Sequence, residues 1–346
     1  MRADRVLIGF GHVGRRFLRL LEEHGARLAA DHDLVCRAVG ISTRRHGSLW
    51  RPEGIDGAVV ALADGGGSAI DLIDRLRAST ADLRVVVETT TLDIAAGQPA
   101  IDHVRAAISA GCHVVTANKG PAAFAYAPLH AEAERAGVSF LFEGAVMDGV
   151  PIFNLVRETL PAVNVLGFRG VVNATTNHIL SALEDGEAFG PALARMQALG
   201  IAEADPSLDV DGWDAAAKTA ALANVLMDAR ITPQTVERTG LTEASGAAAL
   251  SAVERGKRLR LVAAARRLAD GRIEARVGPV ELSADDLLAG LRGQANALVL
   301  QTDLLGEIAI CQLDGSLTQT AYALLSDVVT IRRRQREKGS SRSRST

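Results

Sequence analysis

The sequence predicts an α/β protein in which a doubly wound domain with a parallel sheet precedes an α+β domain. Three observations lead to this fold class. Short apolar strands alternate with helical stretches over about the first 150 residues. A glycine-rich turn separates the first strand from the first helix, and from Pro151 onward helices and hairpin-forming strands replace the alternation.

The first strand and helix define the first unit of the doubly wound domain. Val6 to Ile8 is a short apolar run, and the turn GFGHVG and the amphipathic stretch Arg15 to Glu23 follow it directly. A second apolar strand, Leu34 to Ile41, completes a β-α-β unit of the length that a parallel crossover needs. The alternation continues through residues 84–88, 102–110, 113–116, 129–136 and 139–143. A Rossmann-type domain over residues 1–150 is therefore expected.

The second region has a different pattern. Pro151 is suited to the first turn of a helix, residues 163–173 have strand character, and helices are predicted at 190–199 and 212–227. Asp270-Gly271 separates two strand-like runs and predicts a hairpin. We expect a catalytic and dimerisation domain over residues 151–305, a segment over 306–331 that returns to the first domain, and a disordered basic tail over 332–346.

Composition excludes several classes of protein. The 346 residues include only 8 Phe, 2 Tyr and 2 Trp, which leaves little material for a surface that stacks nucleic-acid bases. Three widely separated cysteines argue against a disulfide framework or a zinc knuckle. No signal-type core and no run of about eighteen apolar residues is present. A soluble, cytoplasmic protein that binds neither membrane nor nucleic acid is expected.

The charge is unevenly distributed along the chain. Residues 332–346 hold seven basic side chains and one acidic one, a net charge of +6, whereas the formal charge of the whole chain is −3. This segment lacks an apolar face that could dock. It is interpreted as a solubilising tail, and the alternative is an arm that binds anions.

The glycine turn predicts a dinucleotide site. In such a turn Gly9 would permit the tight bend, Gly11 would let the backbone approach a pyrophosphate, and Gly14 would allow close packing of the helix. The alternative is a purely structural turn. After the second strand the sequence reads Ser42-Thr43-Arg44-Arg45, without the acidic residue that binds the ribose of NAD. Two guanidinium groups there favour the 2′-phosphate of NADP, although a solvated arginine pair would give the same pattern.

The segment GIAEADPSLDVDGWDAAAK is the second candidate site. It places five carboxylates and one lysine within sixteen residues, from Glu203 to Lys218. With Asp211 as the helix N-cap, Asp214 falls in the first turn and Lys218 lies one turn further on the same face. A cap with a surface ion pair explains this spacing as well. However, the helix beyond Lys218 is almost wholly apolar, which is typical of a buried helix.

The strand HVVT predicts a third polar cluster. Its carboxyl end would bring Asn118 and Lys119 to the crevice where open α/β sheets bind ligands. An ordinary polar strand end is the alternative interpretation.

Taken together, these segments resemble the homoserine dehydrogenase family. GFGHVG, VVTANKGP, EGAVMDGVPI, NATTNHIL and the segment that ends at Lys218 occur in the family's order, and the resemblance covers about residues 6 to 330. It implies reversible, NAD(P)-dependent conversion of L-aspartate 4-semialdehyde to L-homoserine, a step toward threonine, methionine and isoleucine. It also implies a homodimer, and feedback through the threonine-binding carboxyl-terminal domain of longer relatives is not expected.

The resemblance also implies roles for individual residues. Lys218 falls on the family's acid/base lysine, Asp214 on the carboxylate that orients it, Glu203 and Asp209 on substrate-binding acids, and Lys119 on a lysine beside cofactor and substrate. Cofactor contacts are expected from Gly9, Phe10, Gly11, His12, Val13, Gly14, Thr43, Arg44, Arg45, Thr89, Thr90 and Lys119. A structural Na⁺ is expected at Glu143 and at the carbonyls of Val146, Asp148 and Val150.

Some positions depart from the family pattern. Ile201 stands where an aromatic residue is usual, and Trp213 stands where an aliphatic one is usual. These departures leave open a Rossmann dehydrogenase that acts on another amino-acid-derived aldehyde or ketone. The net charge of +6 on the tail leaves open a second alternative, a catalytically silent NADP-binding regulator whose basic tail contacts nucleic acid.

Overall fold

The computed structural model describes residues 1–57, 62, 67–199, 201–202 and 205–343. The chain forms two compact units. The first contains Met1–Pro121, Ala125–Pro151 and the chain from Ser316 onward, and the second contains Ala122–Phe124 and Ile152–Gly315. The predicted combination of a doubly wound α/β unit with an α+β unit is confirmed.

The regular elements are numbered in chain order. The strands are β1 (Arg2–Ile8), β2 (Val35–Ser42), β3 (Ser48–Trp50), β4 (Leu83–Glu88), β5 (His113–Thr116), β6 (Phe140–Leu141), β7 (Val165–Val171), β8 (Glu237–Arg238), β9 (Lys257–Arg267), β10 (Ile273–Ser283), β11 (Asn296–Thr302) and β12 (Gly306–Gln312). The α-helices are α1 (His12–Glu23), α2 (Gly25–His32), α3 (Ala69–Arg77), α4 (Ala100–Ser109), α5 (Gly120–Ala136), α6 (Ile152–Asn154), α7 (Ala174–Glu184), α8 (Phe189–Ala198), α9 (Ser207–Val210), α10 (Trp213–Leu226), α11 (Ala244–Glu254) and α12 (Leu317–Ser343).

The sheet of the first unit has the strand order β3-β2-β1-β4-β5-β6. All neighbouring pairs are parallel except β2 with β3. Ile8 lies opposite Glu88 in β4, and Glu88 lies opposite Thr116 in β5. The segments that follow β1, β4 and β5 therefore meet at one edge of the sheet, beside the point where the strand order reverses. In doubly wound proteins this is where ligands bind.

Helix α12 packs against α1 and completes the core of the first unit. Leu324, Val328 and Ile331 belong to the same buried cluster as Phe17 and Leu7. The chain returns to this unit at Ser316 rather than at residue 306. The reason is that β12 pairs antiparallel with β11 in the sheet of the second unit.

The helix also continues past residue 331, where the sequence predicted that disorder begins. Arg332 is largely buried, and its guanidinium binds Asp33 at 2.8 Å. The Gln335 side chain lies 3.2 Å from the His113 ring. Arg, Gln, Glu and Lys are good helix formers, and these two contacts supply the docking that composition alone did not indicate.

The second unit is built on a mixed sheet with the strand order β12-β11-β7-β9-β10-β8. The predicted hairpin around Asp270-Gly271 is present, because β9 and β10 pair antiparallel from Lys257 to Ser283. Helices α7, α10 and α11 pack on this sheet. Within the described ranges, no helix is both long and apolar enough to cross a bilayer. Most of the loop predicted between residues 56 and 68 lies outside those ranges.

A buried ion pair anchors the carboxyl end of α7. The Glu184 carboxylate binds Arg260 at 2.6 Å, and both side chains are almost fully buried. The guanidinium also donates to the carbonyls of Leu259 and Ala289, while the Leu259 N–H donates to Glu184. This pair fixes α7 on β9, and the opposite end of α7 is the end that carries the candidate site.

We therefore expect Glu184→Ala to destabilise the second unit by about 3–5 kcal/mol, because it leaves a buried guanidinium without its carboxylate. Urea denaturation measures this loss. The neighbouring Asp185 provides the control, since its pair with Arg292 is more than half exposed, and Asp185→Ala should cost less than about 1 kcal/mol. Equal losses for the two variants would contradict this assignment.

Candidate active site

The turn after β1 requires a glycine at its first position. Gly9 has φ +85°, and a Cβ at this position would lie 2.6 Å from the Thr89 carbonyl oxygen. The Thr89 N–H donates to Ile8 and its hydroxyl donates to the Gly9 carbonyl, at 2.7 and 3.0 Å. The loops after β1 and β4 are thus in direct backbone contact.

The other two glycines of the turn have different surroundings. A Cβ on Gly14 would lie 2.9 Å from the Gly9 carbonyl oxygen, so this position needs glycine for packing. Gly11 caps α1 without a side-chain hydrogen bond, and a Cβ on it would meet nothing within 4 Å. The space in front of Gly11 is therefore open at the amino end of α1, where backbone N–H groups and the helix dipole favour an anion. This cradle fits a dinucleotide pyrophosphate.

The residues within the turn occupy different depths. Phe10 is buried and lies under the Arg15 guanidinium, which is 4.6 Å from the ring centre. His12 is exposed in the first turn of α1, and Val13 is half-buried. The Phe10 side chain therefore packs into the interior of the first unit, while His12 is exposed to solvent.

The end of β2 is a tight turn into β3. The Thr43 hydroxyl donates to the Gly47 carbonyl and accepts from the His46 N–H, both at 2.9 Å. Ser42 is buried. Thr43 therefore shapes the turn, and Arg44 and Arg45 are the exposed groups at its tip.

A buried carboxylate holds the loops after β4 and β5. Glu88 accepts hydrogen bonds from the Thr90 N–H at 3.0 Å, from the Thr90 hydroxyl and from the Thr116 hydroxyl at 2.9 Å. Asn118 is also buried and donates to the Thr90 carbonyl at 3.0 Å. Asn118 thus braces the loop, and the half-buried Lys119 follows it at the start of α5.

In the second unit, Lys218 is part of a compact polar cluster. Its ammonium lies 3.0 Å from Asp214 Oδ2 and donates to the Val172 carbonyl at 2.6 Å. The Lys218 side chain is only 14% exposed. Asn173 Nδ2 donates to Asp209 Oδ1 at 2.6 Å and to Asp214 Oδ2 at 2.9 Å. The structure thus brings Asp209, Asp214 and Lys218 together.

If Asp211 were the N-cap, the helix that carries Lys218 would begin at residue 212. In the structure this helix, α10, begins at Trp213. Gly212 occupies the cap position with φ +79° and makes no side-chain hydrogen bond. Asp211 instead ends α9, so the left-handed glycine joins the two helices directly. Asp214 still lies in the first turn of α10. The face that carries Lys218 is therefore unchanged, although the assignment of Asp211 as N-cap was wrong.

Asp209 has a shifted pKa, and burial is the largest cause of the shift. Burial raises the pKa of Asp209, and the nearby Asp214 carboxylate raises it further, whereas the Asn173 hydrogen bond lowers it. Two carboxylates and one ammonium in a small space can hold a zwitterion and exchange a proton with it. Glu203, the remaining predicted acid of this segment, lies outside the described residues.

The segment after β6 forms the turn for which a cation was predicted. Glu143 is buried, and Asp148 has φ +46° and accepts from the Thr320 hydroxyl at 2.8 Å. Within the turn, the Ala145 N–H donates to the Phe142 carbonyl and the Val150 N–H donates to the Met147 carbonyl. Among the described residues, no cluster of three His, Cys, Asp or Glu side chains could hold a metal. A carboxylate and main-chain carbonyls supply oxygen atoms, the type of ligand that hard cations prefer.

Sequence reasoning assigned no role to Asn173 or Glu88. Asn173 was part of the quoted motif NATTNHIL, and an asparagine before a helix signals an N-cap. Glu88 could have been noticed as a charged residue that ends an apolar strand. Their bonds to Thr116, and to Asp209 and Asp214, span 28 or more residues of sequence, so these contacts required the fold.

The fold and these two clusters define a class: a nucleotide-binding α/β oxidoreductase with a separate unit that carries a lysine–carboxylate group. Family models agree with both units. The model for the homoserine dehydrogenase NAD-binding domain matches residues 9–143, and the model for homoserine dehydrogenase matches residues 151–329.

Relatives extend this match over nearly the whole chain. The chain is 35% identical to an NAD(+)-dependent homoserine dehydrogenase of Pseudomonas canavaninivorans, over 94% of this chain and 95% of that one. It is 33% identical to a homoserine dehydrogenase of Methanocaldococcus jannaschii, over 95% and 98%. A solved homoserine dehydrogenase from Thiobacillus denitrificans is 30% identical with a TM-score of 0.83, over 96% of this chain and 74% of that one. The chain belongs to the homoserine dehydrogenase family, whose members are oxidoreductases that act on a CH–OH group.

If the open space at Gly11 receives the pyrophosphate, Gly11→Ala should weaken NAD(P) binding about tenfold, since the new methyl group occupies that space. Calorimetric titration with the cofactor measures this. Gly25→Ala is the matched control, because Gly25 opens α2 and its Cβ would also meet nothing within 4 Å. The assignment fails if both variants bind the cofactor as the unmodified protein does.

Proposed function

We propose that this chain catalyses the NAD(P)-dependent interconversion of L-homoserine and L-aspartate 4-semialdehyde. Membership of the family and the names of its relatives support the substrate pair. Among the structural observations, the one that carries the proposal is the Lys218 ammonium, held by Asp214 and by the Val172 carbonyl at the start of a buried helix. The ammonium of a surface ion pair would be solvated and would not need the Val172 carbonyl as a second partner.

Lys218 is proposed as the acid/base group. The chemistry that a nicotinamide supplies when bound is acceptance of hydride from the CH–OH carbon. During oxidation, Lys218 as the neutral amine takes the proton of the substrate hydroxyl and becomes the ammonium. During reduction the ammonium gives a proton to the developing alkoxide and returns to the amine. Asp214 keeps the Lys218 nitrogen in place in both directions.

The substrate ammonium needs a carboxylate, because an unpaired cation in a partly buried pocket is costly. We assign this role to Asp209, together with Glu203 by the family pattern. Lys119 is proposed to act beside cofactor and substrate, on the strength of its position after β5.

NADP is proposed as the preferred cofactor. Arg44 and Arg45 are exposed at the tip of the turn after β2 and suit a 2′-phosphate. The Pseudomonas canavaninivorans relative is named as NAD(+)-dependent, so the preference differs within the family if this proposal holds. Gly9 to Gly14, with Thr89 and Thr90 in the adjoining loop, are proposed to hold the rest of the dinucleotide.

Two structural features are proposed as well. A sodium ion would be held by Glu143 and the carbonyls of Val146, Asp148 and Val150, where it would stabilise the turn. A homodimer would form through the second unit, which bears exposed leucines at and after the β11–β12 hairpin, Leu304 and Leu313.

Lys218→Ala should lower kcat for L-homoserine oxidation at least a hundredfold, because general acid–base groups contribute about 10²–10⁴ in rate. Cofactor affinity should stay within about twofold, since the residue lies in the substrate-binding unit. Lys257→Ala is the control: that lysine also pairs with a carboxylate of the second unit but is 46% exposed. A Lys218→Ala enzyme with unchanged kcat would refute the acid/base role.

Replacing both Arg44 and Arg45 by alanine should raise KM for NADP about tenfold or more and leave KM for NAD nearly unchanged, because NAD lacks the 2′-phosphate. Steady-state kinetics with both cofactors measure the ratio. Arg51→Ala, an exposed arginine after β3, should change neither value. Equal effects of the double replacement on both cofactors would contradict the NADP preference.

A further inference from the structure

Asn173 makes hydrogen bonds both to the first turn of a helix and to two carboxylates, those of Asp209 and Asp214. It occupies the N-cap of α7, where its Oδ1 accepts from the Thr176 N–H at 2.8 Å. This contact accounts for one side-chain atom only. The amide nitrogen points to the other side and donates to Asp209 and Asp214, at 2.6 and 2.9 Å.

The two acceptors belong to different helices. Asp209 lies in α9 and Asp214 in the first turn of α10, so their carboxylates carry like charges from separate elements. Like charges held close together repel, and a shared donor offsets that repulsion. An amide –NH₂ has two hydrogens, one for each carboxylate.

The same segment also fixes the lysine. Asp214 Oδ2, which accepts from Asn173, is the oxygen that lies 3.0 Å from the Lys218 ammonium. That ammonium donates to the carbonyl of Val172, the residue immediately before Asn173. Val172 and Asn173, the two residues that follow β7, thus contact both members of the ion pair.

We propose that Asn173 is a positioning residue that orients Asp209 and Asp214, and through Asp214 orients Lys218, for the reaction. This inference rests on the proposed function for its catalytic consequence. Asn173 itself exchanges no proton. Its amide keeps the substrate-binding carboxylate and the lysine's partner at a fixed separation.

The test uses variants that retain the helix cap. Serine and aspartate both keep an oxygen that can accept from the Thr176 N–H, but Asn173→Ser has no amide that reaches the carboxylates, and Asn173→Asp replaces the donor by a third negative charge. Asn177→Ser is the matched control. Asn177 lies one turn further along α7, and its amide donates to the carbonyls of Gly293 and Ala295 rather than to a carboxylate.

Kinetics with L-homoserine give the first measurement. Asn173→Ser should lower kcat about 10- to 100-fold, as small misplacements of catalytic groups do, and Asn173→Asp should lower it further. KM for the cofactor should not change in either variant. Asn177→Ser should keep kcat within about twofold. If Asn173→Ser and Asn173→Asp both retain full kcat, the residue is only a helix cap and the proposal is overturned.

The second measurement does not depend on activity. The pKa of Asp209 is raised in the folded protein. Its contribution to the free energy of unfolding therefore falls as the pH rises from the pKa in the unfolded chain through the pKa in the folded protein. The Asn173 hydrogen bond lowers the folded pKa, so its loss should deepen that fall. The other charged groups that face Asp209 are Asp214 and Lys218. Asn173→Ser should therefore lower Tm more at pH 8 than at pH 4, which is close to the ordinary pKa of an aspartate.

The Asp209→Asn background should remove this pH dependence, whereas the Tm loss of Asn177→Ser should be the same at both pH values. A Tm loss for Asn173→Ser that does not depend on pH would overturn the proposal that Asn173 holds Asp209 and Asp214.

Unmodified protein that folds but does not oxidise homoserine would count against the proposed function alone, because the Tm comparison still decides the role of Asn173. If Asn173→Ser does not fold, the comparison is made with Asn173→Asp, for which a still larger pH dependence is expected.

Discussion

The ion pair between Lys218 and Asp214 is the interaction on which the rest of this account depends. The Lys218 side chain is only 14% exposed, and an ammonium that is drawn out of water is stable only if nearby oxygens replace that water. Asp214 and the Val172 carbonyl supply those oxygens. The cluster therefore combines a stability requirement with a chemical capability, because the group that is held is also one that can move a proton.

The two units hold their candidate binding groups in different ways. In the first unit, loops after neighbouring parallel strands are drawn together by backbone contact at Gly9 and by the buried Glu88 carboxylate. An open space remains in front of the helix amino end at Gly11. In the second unit, the end of one strand and the starts of two helices converge on polar side chains. The first arrangement suits a phosphate, and the second suits a small zwitterion.

The sequence predicted the features that depend on local pattern. The strand–turn–helix at Gly9, the hairpin at Asp270-Gly271 and the helical face shared by Asp214 and Lys218 all follow from short-range periodicity and turn chemistry. The hydrogen bonds from Asn173 to Asp209 and Asp214 could not be predicted in this way, since the two carboxylates lie 36 and 41 positions further along the chain. The docked part of α12 was missed for the same reason: the partner of Arg332 is Asp33, at the other end of the chain.

Chemical rescue of Lys218→Ala by small amines tests the central claim most directly. If the lysine nitrogen moves the proton, primary amines such as methylamine should restore homoserine oxidation in a concentration-dependent way, with rates that follow amine basicity. Tetramethylammonium, which has the charge but no transferable proton, should not restore it. Equal rescue by tetramethylammonium, or rates independent of amine basicity, would contradict the assignment of Lys218 as the acid/base group.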